Sequence, residues 1–91
     1  MISRKAQVLL IFLRMEGERS SKELKHIYKS TSALVDNANY LIKAGFITKY
    51  KGRRKDKRLK SFELTPEGVK FTDFLLKFPD LKNEREKIEN E

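Results

Sequence analysis

The segment LIKAGFITKYKGRRKDKRLKSFELTPEG, Leu41 to Gly68, carries the clearest local signals of the fold. A helical apolar pattern stops at Gly45, because glycine suits the turn that ends a helix. Two segments then have the character of β-strands. Phe46–Tyr50 is β-branched, aromatic and roughly alternating, and Ser61–Leu64 alternates cleanly. The residues between them are glycine-containing and strongly charged. The sequence therefore predicts a β-hairpin with a basic loop.

A further helix is predicted to begin directly after this hairpin. Thr65 is a favoured capping residue, Pro66 suits the first helical turn, and Glu67 complements the positive end of the helix dipole. An aromatic face follows, formed by Val69, Phe71, Phe74, Leu75 and Phe78. Pro79 should end or kink this helix, so we expect one domain over residues 1–79. Residues 80–91 form a charged tail, either a frayed helix or disordered.

The residues before Leu41 predict three helices. Ser3 can cap the first, from Arg4 to Met15, and Gly17 ends it. Its apolar residues almost encircle the helix, which indicates burial on more than one side. Either a partner subunit covers it, or it is a central core helix within one chain.

The second and third predicted helices are short and close together. Ser20 and Glu23 have the spacing of a capping box, which predicts a helix ending near Lys29. After the turn at residues 30–32, a third helix runs over about residues 31–44 with one apolar and one polar face. Two short helices, a tight turn and a hairpin indicate a winged helix-turn-helix. The predicted class is α+β, mainly helical: a three-helix core, a two-stranded β-hairpin wing and a C-terminal helix.

The distribution of charge points to a polyanionic partner. The 91 residues carry a formal net charge of +8. Residues 49–60 contain eight basic residues and one acidic residue, whereas residues 80–91 contain five acids and three bases. A concentrated positive patch attracts phosphates. The alternative is a solvated basic face that only keeps the protein in solution.

Several function classes lack their usual residues. Without cysteine the chain can form neither disulfides nor thiolate metal sites. His26 is the single histidine, and no glycine-rich phosphate loop or cluster of carboxylates is evident. We therefore expect no enzyme activity, no cofactor and no metal. No signal peptide or membrane span is recognisable, so a soluble, cytoplasmic protein is expected.

Three short motifs resemble regulators of the multiple-antibiotic-resistance (MarR) type. They are Leu41–Gly45 followed by two apolar residues, the basic loop, and Leu64–Gly68, which matches L-T-x-x-G. The resemblance covers Ser20 to Gly68, and Asp56-Lys57-Arg58 matches the family's Asp-x-Arg pair. It implies a DNA-binding transcriptional regulator, with a recognition helix at about 31–44 in the major groove. The basic wing, residues 51–60, would contact the backbone or the minor groove.

The resemblance also implies roles for individual residues. The base-facing residues would be Thr31, Ser32, Ala33, Asp36 and Asn37. Tyr40 and Lys43 would lie nearer the phosphates, and Arg58 would reach the minor groove. From the residues themselves, Ser30 to Ser32 at a helix N-terminus can donate to phosphate. The wing cations Lys51, Arg53, Arg54, Lys55 and Lys57 are expected to bind the DNA backbone.

Ordinary structural roles are the alternatives for several of these residues. Asn37 and Asp36 could simply be solvated, and Tyr40 could complete the edge of the core. As functional contacts, Asn37 and Asn39 could each bind adenine, and Lys22 and Lys25 could bind the DNA backbone. His26 is expected to be a partly buried histidine without a chemical role.

The predicted protein is a homodimer, joined by its first and C-terminal helices, that binds double-stranded DNA. It would act as a repressor by blocking polymerase or as an activator by contacting it. Family members are usually longer, and the extra terminal helices often shape a ligand pocket, so a small-molecule effector is not expected here. The alternative function is a winged-helix module that binds RNA or a protein partner through its basic loop.

Overall fold

Three helices and a three-stranded antiparallel sheet make up residues 2–77, the part of the chain that the computed structural model describes. The predicted charged tail, with Phe78 and Pro79, lies outside the described residues. The elements in chain order are α1 (Arg4–Glu16), β1 (Arg19–Ser20), α2 (Thr31–Lys43), β2 (Ile47–Lys51), β3 (Lys60–Leu64) and α3 (Pro66–Leu75).

Helix α1 is the centre of the hydrophobic core. The Ser3 hydroxyl accepts a hydrogen bond from the Ala6 N–H and caps its N-terminus, and Gly17 ends it at a φ of 80°. Both ends were predicted. Five consecutive residues, from Leu9 to Leu13, are buried, because α2, α3 and β3 all pack around this helix. Burial within one chain thus accounts for the nearly continuous apolar surface of α1.

The prediction of a regular second helix was wrong. Residues 21–27, here named the turn segment, form successive turns and no regular α-helix. The predicted capping box does form, because the Ser20 N–H donates to the Glu23 carboxylate and the Glu23 N–H donates to the Ser20 hydroxyl. After one helical bond from Leu24 N to Ser20 O, the next bonds reach only three residues back. So short a segment is marginal as a helix, and tertiary contacts decide its path.

Two buried side chains fix that path. Leu24 is fully buried, and Tyr28 is 7% exposed. The Tyr28 hydroxyl donates a hydrogen bond of 2.6 Å to the Lys5 carbonyl oxygen in α1. Its burial raises the pKa of the phenol. Tyr28, the residue directly after the turn segment, therefore ties the end of that segment to the first turn of α1.

Helix α2 occupies residues close to those predicted for the recognition helix. The Ser30 hydroxyl caps it by accepting from the Ala33 N–H at 3.1 Å. Leu34, Ala38 and Leu41 are buried at helical spacing, and they face α1 and β2. This single apolar stripe holds the helix on the core and leaves its opposite face in solvent.

The sheet contains the predicted hairpin and one additional strand. Strands β2 and β3 pair antiparallel from Ile47 opposite Leu64 to Lys51 opposite Lys60. β1 adds only two residues on the other side of β3, with Arg19 opposite Phe62. A strand of two residues is too short to show an alternating pattern, so it was not predicted. The observed fold is the predicted α+β winged helix, with this small additional strand and with the turn segment in place of the predicted second helix.

The start of α3 is joined to the end of α2. The Thr65 hydroxyl caps α3 by accepting from the Gly68 N–H, and it donates to the Gly45 carbonyl oxygen at 2.7 Å. The Thr65 N–H donates to the carbonyl oxygen of Phe46. A Cβ at Gly68 would overlap that same Phe46 carbonyl. Gly68 therefore allows α3 to approach the turn after α2.

Candidate nucleic-acid interface

The solvent-facing side of α2 presents a row of mostly polar side chains. At 100° per residue, they occupy one continuous arc around the helix. In order around that arc they are Val35, Asn39, Ser32, Lys43, Asp36 and Tyr40, all exposed. The helix has 13 residues and is therefore about 20 Å long. Such a helix fits the major groove of B-DNA, which is about 12 Å wide.

The N-terminus of α2 is also open to solvent. Ser30, Thr31 and Ser32 are all exposed, and the Ser30 hydroxyl is used in the cap. The hydroxyls of Thr31 and Ser32 lie at the positive end of the helix dipole, where an anion is favoured. This end of α2 can therefore receive a phosphate group.

Two of the predicted base-facing residues lie at the inner edge of α2. Ala33 and Asn37 are half-buried. The Asn37 amide donates to the Ala33 carbonyl oxygen at 2.8 Å and accepts from the Ser3 hydroxyl at 3.1 Å. Both polar atoms of this amide are therefore engaged within the chain. Asn39, by contrast, lies within the exposed arc.

Val35 is a surface residue that the sequence prediction missed. It is 47% exposed and lies in the same arc as Asn39. A valine in a helix is normally assigned to the core, so its residue type concealed it. Its position was the available signal, because it follows the buried Leu34 by one residue and so lies 100° away. An exposed apolar side chain on such a face suits contact with a thymine methyl group.

The loop of the wing has a defined conformation. The Gly52 N–H donates to the Leu59 carbonyl oxygen and closes the loop at its base. Arg58 has 89% of its side chain exposed and forms a paired contact with Asp56, with two side-chain distances of 3.1 Å. This contact, together with the Arg58 N–H, lowers the pKa of the Asp56 carboxyl. The predicted Asp-x-Arg pair thus holds its arginine at the surface.

Arg53 and Arg54 contact the body of the domain, although 48% of the Arg53 side chain and 33% of the Arg54 side chain stay exposed. The Arg53 guanidinium lies 3.8 Å from the centre of the Tyr50 ring and 3.2 Å from Glu18 Oε1. Arg54 binds Glu23 through two bonds, from Nε to Oε1 at 3.0 Å and from Nη2 to Oε2 at 2.8 Å. Chiefly because of these bonds, the pKa of Glu23 falls to about 2 from its usual 4.5. Both arginines are paired with carboxylates from outside the wing.

The lysines of this hairpin present their charge to solvent. Lys49, Lys51, Lys55, Lys57 and Lys60 are all exposed. Within residues 2–77, the ion pairs of the wing involve its three arginines and none of these lysines. Lys22 and Lys25 on the turn segment are exposed as well. The uncompensated positive charge of this surface therefore comes from lysine.

The described residues contain no group of three or more side chains suited to hold a metal ion. The prediction that His26 is partly buried was wrong: the residue is exposed, and its ring lies edge-on to Phe12 at 5.3 Å. None of the helices in residues 2–77 combines the length and the apolar character needed to cross a membrane.

Comparison with solved structures finds the same fold in BpsR of Bordetella bronchiseptica, a protein whose DNA binding is regulated by 6-hydroxynicotinic acid. The two structures superpose with a TM-score of 0.73 at 17% sequence identity. The match covers 93% of this chain but only 63% of BpsR, so the chain spans less than two thirds of that protein. No protein-family model and no curated protein matches the sequence. The comparison shows that the two proteins share a fold.

Proposed function

We propose that this protein is a sequence-specific, double-stranded DNA-binding transcriptional regulator. The observation that carries the proposal is the exposed polar arc of α2, which is followed within a few residues by a lysine-rich wing. A helix docked by one apolar stripe, with its polar side free, is the arrangement that major-groove recognition requires. The shared fold with BpsR, whose DNA binding is regulated by a small molecule, supports the same class of function.

The proposed contacts divide between base reading and backbone binding. Asn39, Ser32 and Asp36, in the central part of the α2 arc, face the base edges. Tyr40 lies at one side of the arc and Lys43 is the last residue of the helix, so both lie towards the flanking phosphates, and Thr31 donates to a phosphate at the helix N-terminus. The exposed lysines of the wing bind the backbone, and Arg58 extends towards the minor groove.

We further propose that the protein acts as a homodimer on a pseudo-palindromic site. Paired recognition helices would then occupy successive major grooves about one turn of DNA apart. The proposed dimer interface includes α3. Phe74 on this helix supports it, because its side chain is 53% exposed beside the stacked rings of Phe46 and Phe71. Occupation of such a site would block or recruit polymerase, depending on its position.

The test is a binding competition. A preferred sequence is first selected from a library of random duplex DNA, and the selected duplex then competes with scrambled DNA and with duplex RNA. We expect the selected DNA to bind most tightly, because the narrow major groove of duplex RNA hides its base edges from a helix. Equal affinity for all three would contradict sequence-specific regulation. Preference for RNA would instead favour an RNA-binding module.

A matched pair of variants assigns the binding to α2. Lys43→Gln removes one charge from the exposed arc, and Lys70→Gln removes one charge from an exposed position on α3. Lys43→Gln should weaken binding to the selected duplex more than Lys70→Gln does. Equal effects would place the DNA elsewhere on the surface.

A further inference from the structure

The wing, taken here as β2, β3 and the loop between them, is attached to the domain body at several points that lie close together. Besides the pairing of β1 with β3, the Ser21 N–H donates to the Lys60 carbonyl oxygen at 2.9 Å. Glu18 and Glu23 then each hold one arginine of the wing. The wing is therefore docked along residues 18–23 by backbone and side-chain bonds together.

Glu23 is the more fully engaged of the two carboxylates. Its Oε1 accepts from the Ser20 N–H at 2.9 Å and from Arg54 Nε, while its Oε2 accepts from Arg54 Nη2. A paired arginine–carboxylate contact of this kind fixes both direction and distance. Because the same carboxylate also completes the capping box, the position of Arg54 is coupled to the start of the turn segment.

Glu18 holds the base of the wing through one contact to an arginine and one to a strand. Its side chain is only 13% exposed, and it accepts from the Ser61 hydroxyl in β3 as well as pairing with Arg53. Arg53 in turn lies over the Tyr50 ring in β2. One carboxylate thus joins both strands of the hairpin to the segment before β1.

These contacts divide the wing cations into two groups. For Arg54 to bind a phosphate, it would have to give up two charge-assisted bonds. The Glu23 carboxylate would then keep only one, longer ion pair, with Arg19 at 3.7 Å, near the DNA backbone. Among residues 2–77, no wing lysine has an ion pair to give up. Lys51 and Lys60 lie opposite each other where the strands end, and Lys55 and Lys57 lie in the loop beyond them.

We infer that Glu18 and Glu23 are positioning residues for nucleic-acid binding: they hold Arg53 and Arg54 so that the wing lysines, and not these arginines, bind the phosphates. This inference rests on the proposed function. Glu18 and Glu23 would thus increase the affinity for a polyanion, although both are negatively charged.

The first experiment removes the negative charge of Glu23, for which electrostatics and the positioning role predict opposite changes in DNA affinity. Removing a negative charge near DNA should by electrostatics alone strengthen binding. If Glu23 positions the wing, Glu23→Gln should instead weaken binding to the selected duplex by about fivefold, the equivalent of losing one exposed ion pair. The charge-swapped variant, Glu23→Arg with Arg54→Glu, should recover affinity relative to Glu23→Arg alone. Tighter binding by Glu23→Gln, or no recovery in the swapped variant, would overturn the inference.

The second experiment compares two variants that each remove two charges. In Lys55→Gln/Lys57→Gln, the slope of log K against log salt should fall by about 0.9 for each phosphate that the variant no longer neutralises. In Arg53→Gln/Arg54→Gln, the affinity should fall while the slope stays that of the wild type. A reduced slope in the arginine variant would show that these arginines bind phosphate directly.

Docking of the wing can also be measured without DNA. In the free protein, Glu23→Gln should speed hydrogen exchange at the Ser21 and Gly52 amides, which bond to Lys60 and Leu59. Unchanged exchange would overturn the docking role, whatever the protein binds. If exchange is faster in Glu23→Gln but the wild type binds no duplex DNA, the docking role of Glu23 stands. The proposed function and the phosphate role of the lysines would then be contradicted.

Discussion

Gly68 allows α3 to pack closely against the turn that follows α2. Gly68 lies in the first turn of α3, where a side chain would meet the Phe46 carbonyl oxygen, a backbone atom that also accepts from the Thr65 N–H. The atom cannot move away without breaking that bond. The glycine of the L-T-x-x-G motif therefore has a packing role, and its threonine caps the same helix.

We expect Gly68→Ala to lower the free energy of unfolding by about 1–3 kcal/mol, the usual cost of inserting a methyl group into a packed site. Urea denaturation measures the change. Lys70→Ala, at an exposed position of the same helix, should change stability by less than about 0.5 kcal/mol. A Gly68→Ala protein as stable as the wild type would show that α3 can shift at no cost.

Glu23 should make stability depend on pH. Its pKa is lowered from 4.5 to about 2 in the folded protein, chiefly by Arg54. The unfolded chain therefore binds a proton first as the pH falls, so the stabilisation is complete above about pH 5 and is lost towards pH 2. Because the side chain is partly exposed, it amounts to about 1 kcal/mol.

Comparison of the wild type with Glu23→Gln measures this effect. The difference in their unfolding free energies should be largest above pH 5 and should shrink as the pH falls towards 2. Arg54→Gln should likewise lose much of the dependence, because it removes the main cause of the low pKa. A difference that stays constant from pH 6 to pH 2 would contradict the assignment.

At the scale of elements, α2 contains two asparagines with different surroundings. Asn37 is bonded to Ser3 and Ala33, whereas Asn39 lies in the exposed arc. Asn39→Ala should weaken binding to the selected duplex by about tenfold and leave binding to scrambled DNA unchanged, since a paired contact with adenine contributes about 1–3 kcal/mol.

Asn37→Ala is the matched control for this prediction. It should lower stability by about 1 kcal/mol through its lost hydrogen bonds and should preserve the preference for the selected sequence. Binding curves with selected and scrambled duplexes, together with urea denaturation, separate the two effects. Loss of sequence preference in Asn37→Ala alone would reverse the assignment.

The elements also show where sequence patterns succeed and where they fail. α1, α2, the hairpin and α3 were predicted because each has a local signal: a capping hydroxyl, a terminal glycine or an apolar period. The turn segment carried a correct capping box at Ser20 and Glu23 but did not become a helix. Its path depends on the burial of Leu24 and Tyr28 against α1, which no local pattern reports.

For the whole molecule, the proposed homodimer depends on which surface forms its interface. Core packing already accounts for the apolar surface of α1, which leaves α3 as the better-supported part of the proposed interface. We expect the protein to sediment as a dimer at micromolar concentration and Phe74→Ser to shift it towards monomer, because Phe74 is half exposed on α3. Lys70→Ser on the same helix is the control. A monomeric wild type at that concentration would contradict the dimer.

Local sequence signals were sufficient to predict α1, α2, α3 and the basic hairpin, because caps, glycines and periodicity act over a few residues. The strong positive charge of the hairpin also follows from the sequence. Which of those charges are available depends on the packing of the whole domain, since Glu23 and Arg54 are 31 residues apart in the chain. That packing likewise turned Asn37 inward and left Asn39 and Val35 outward, because a helix face is defined by what it packs against.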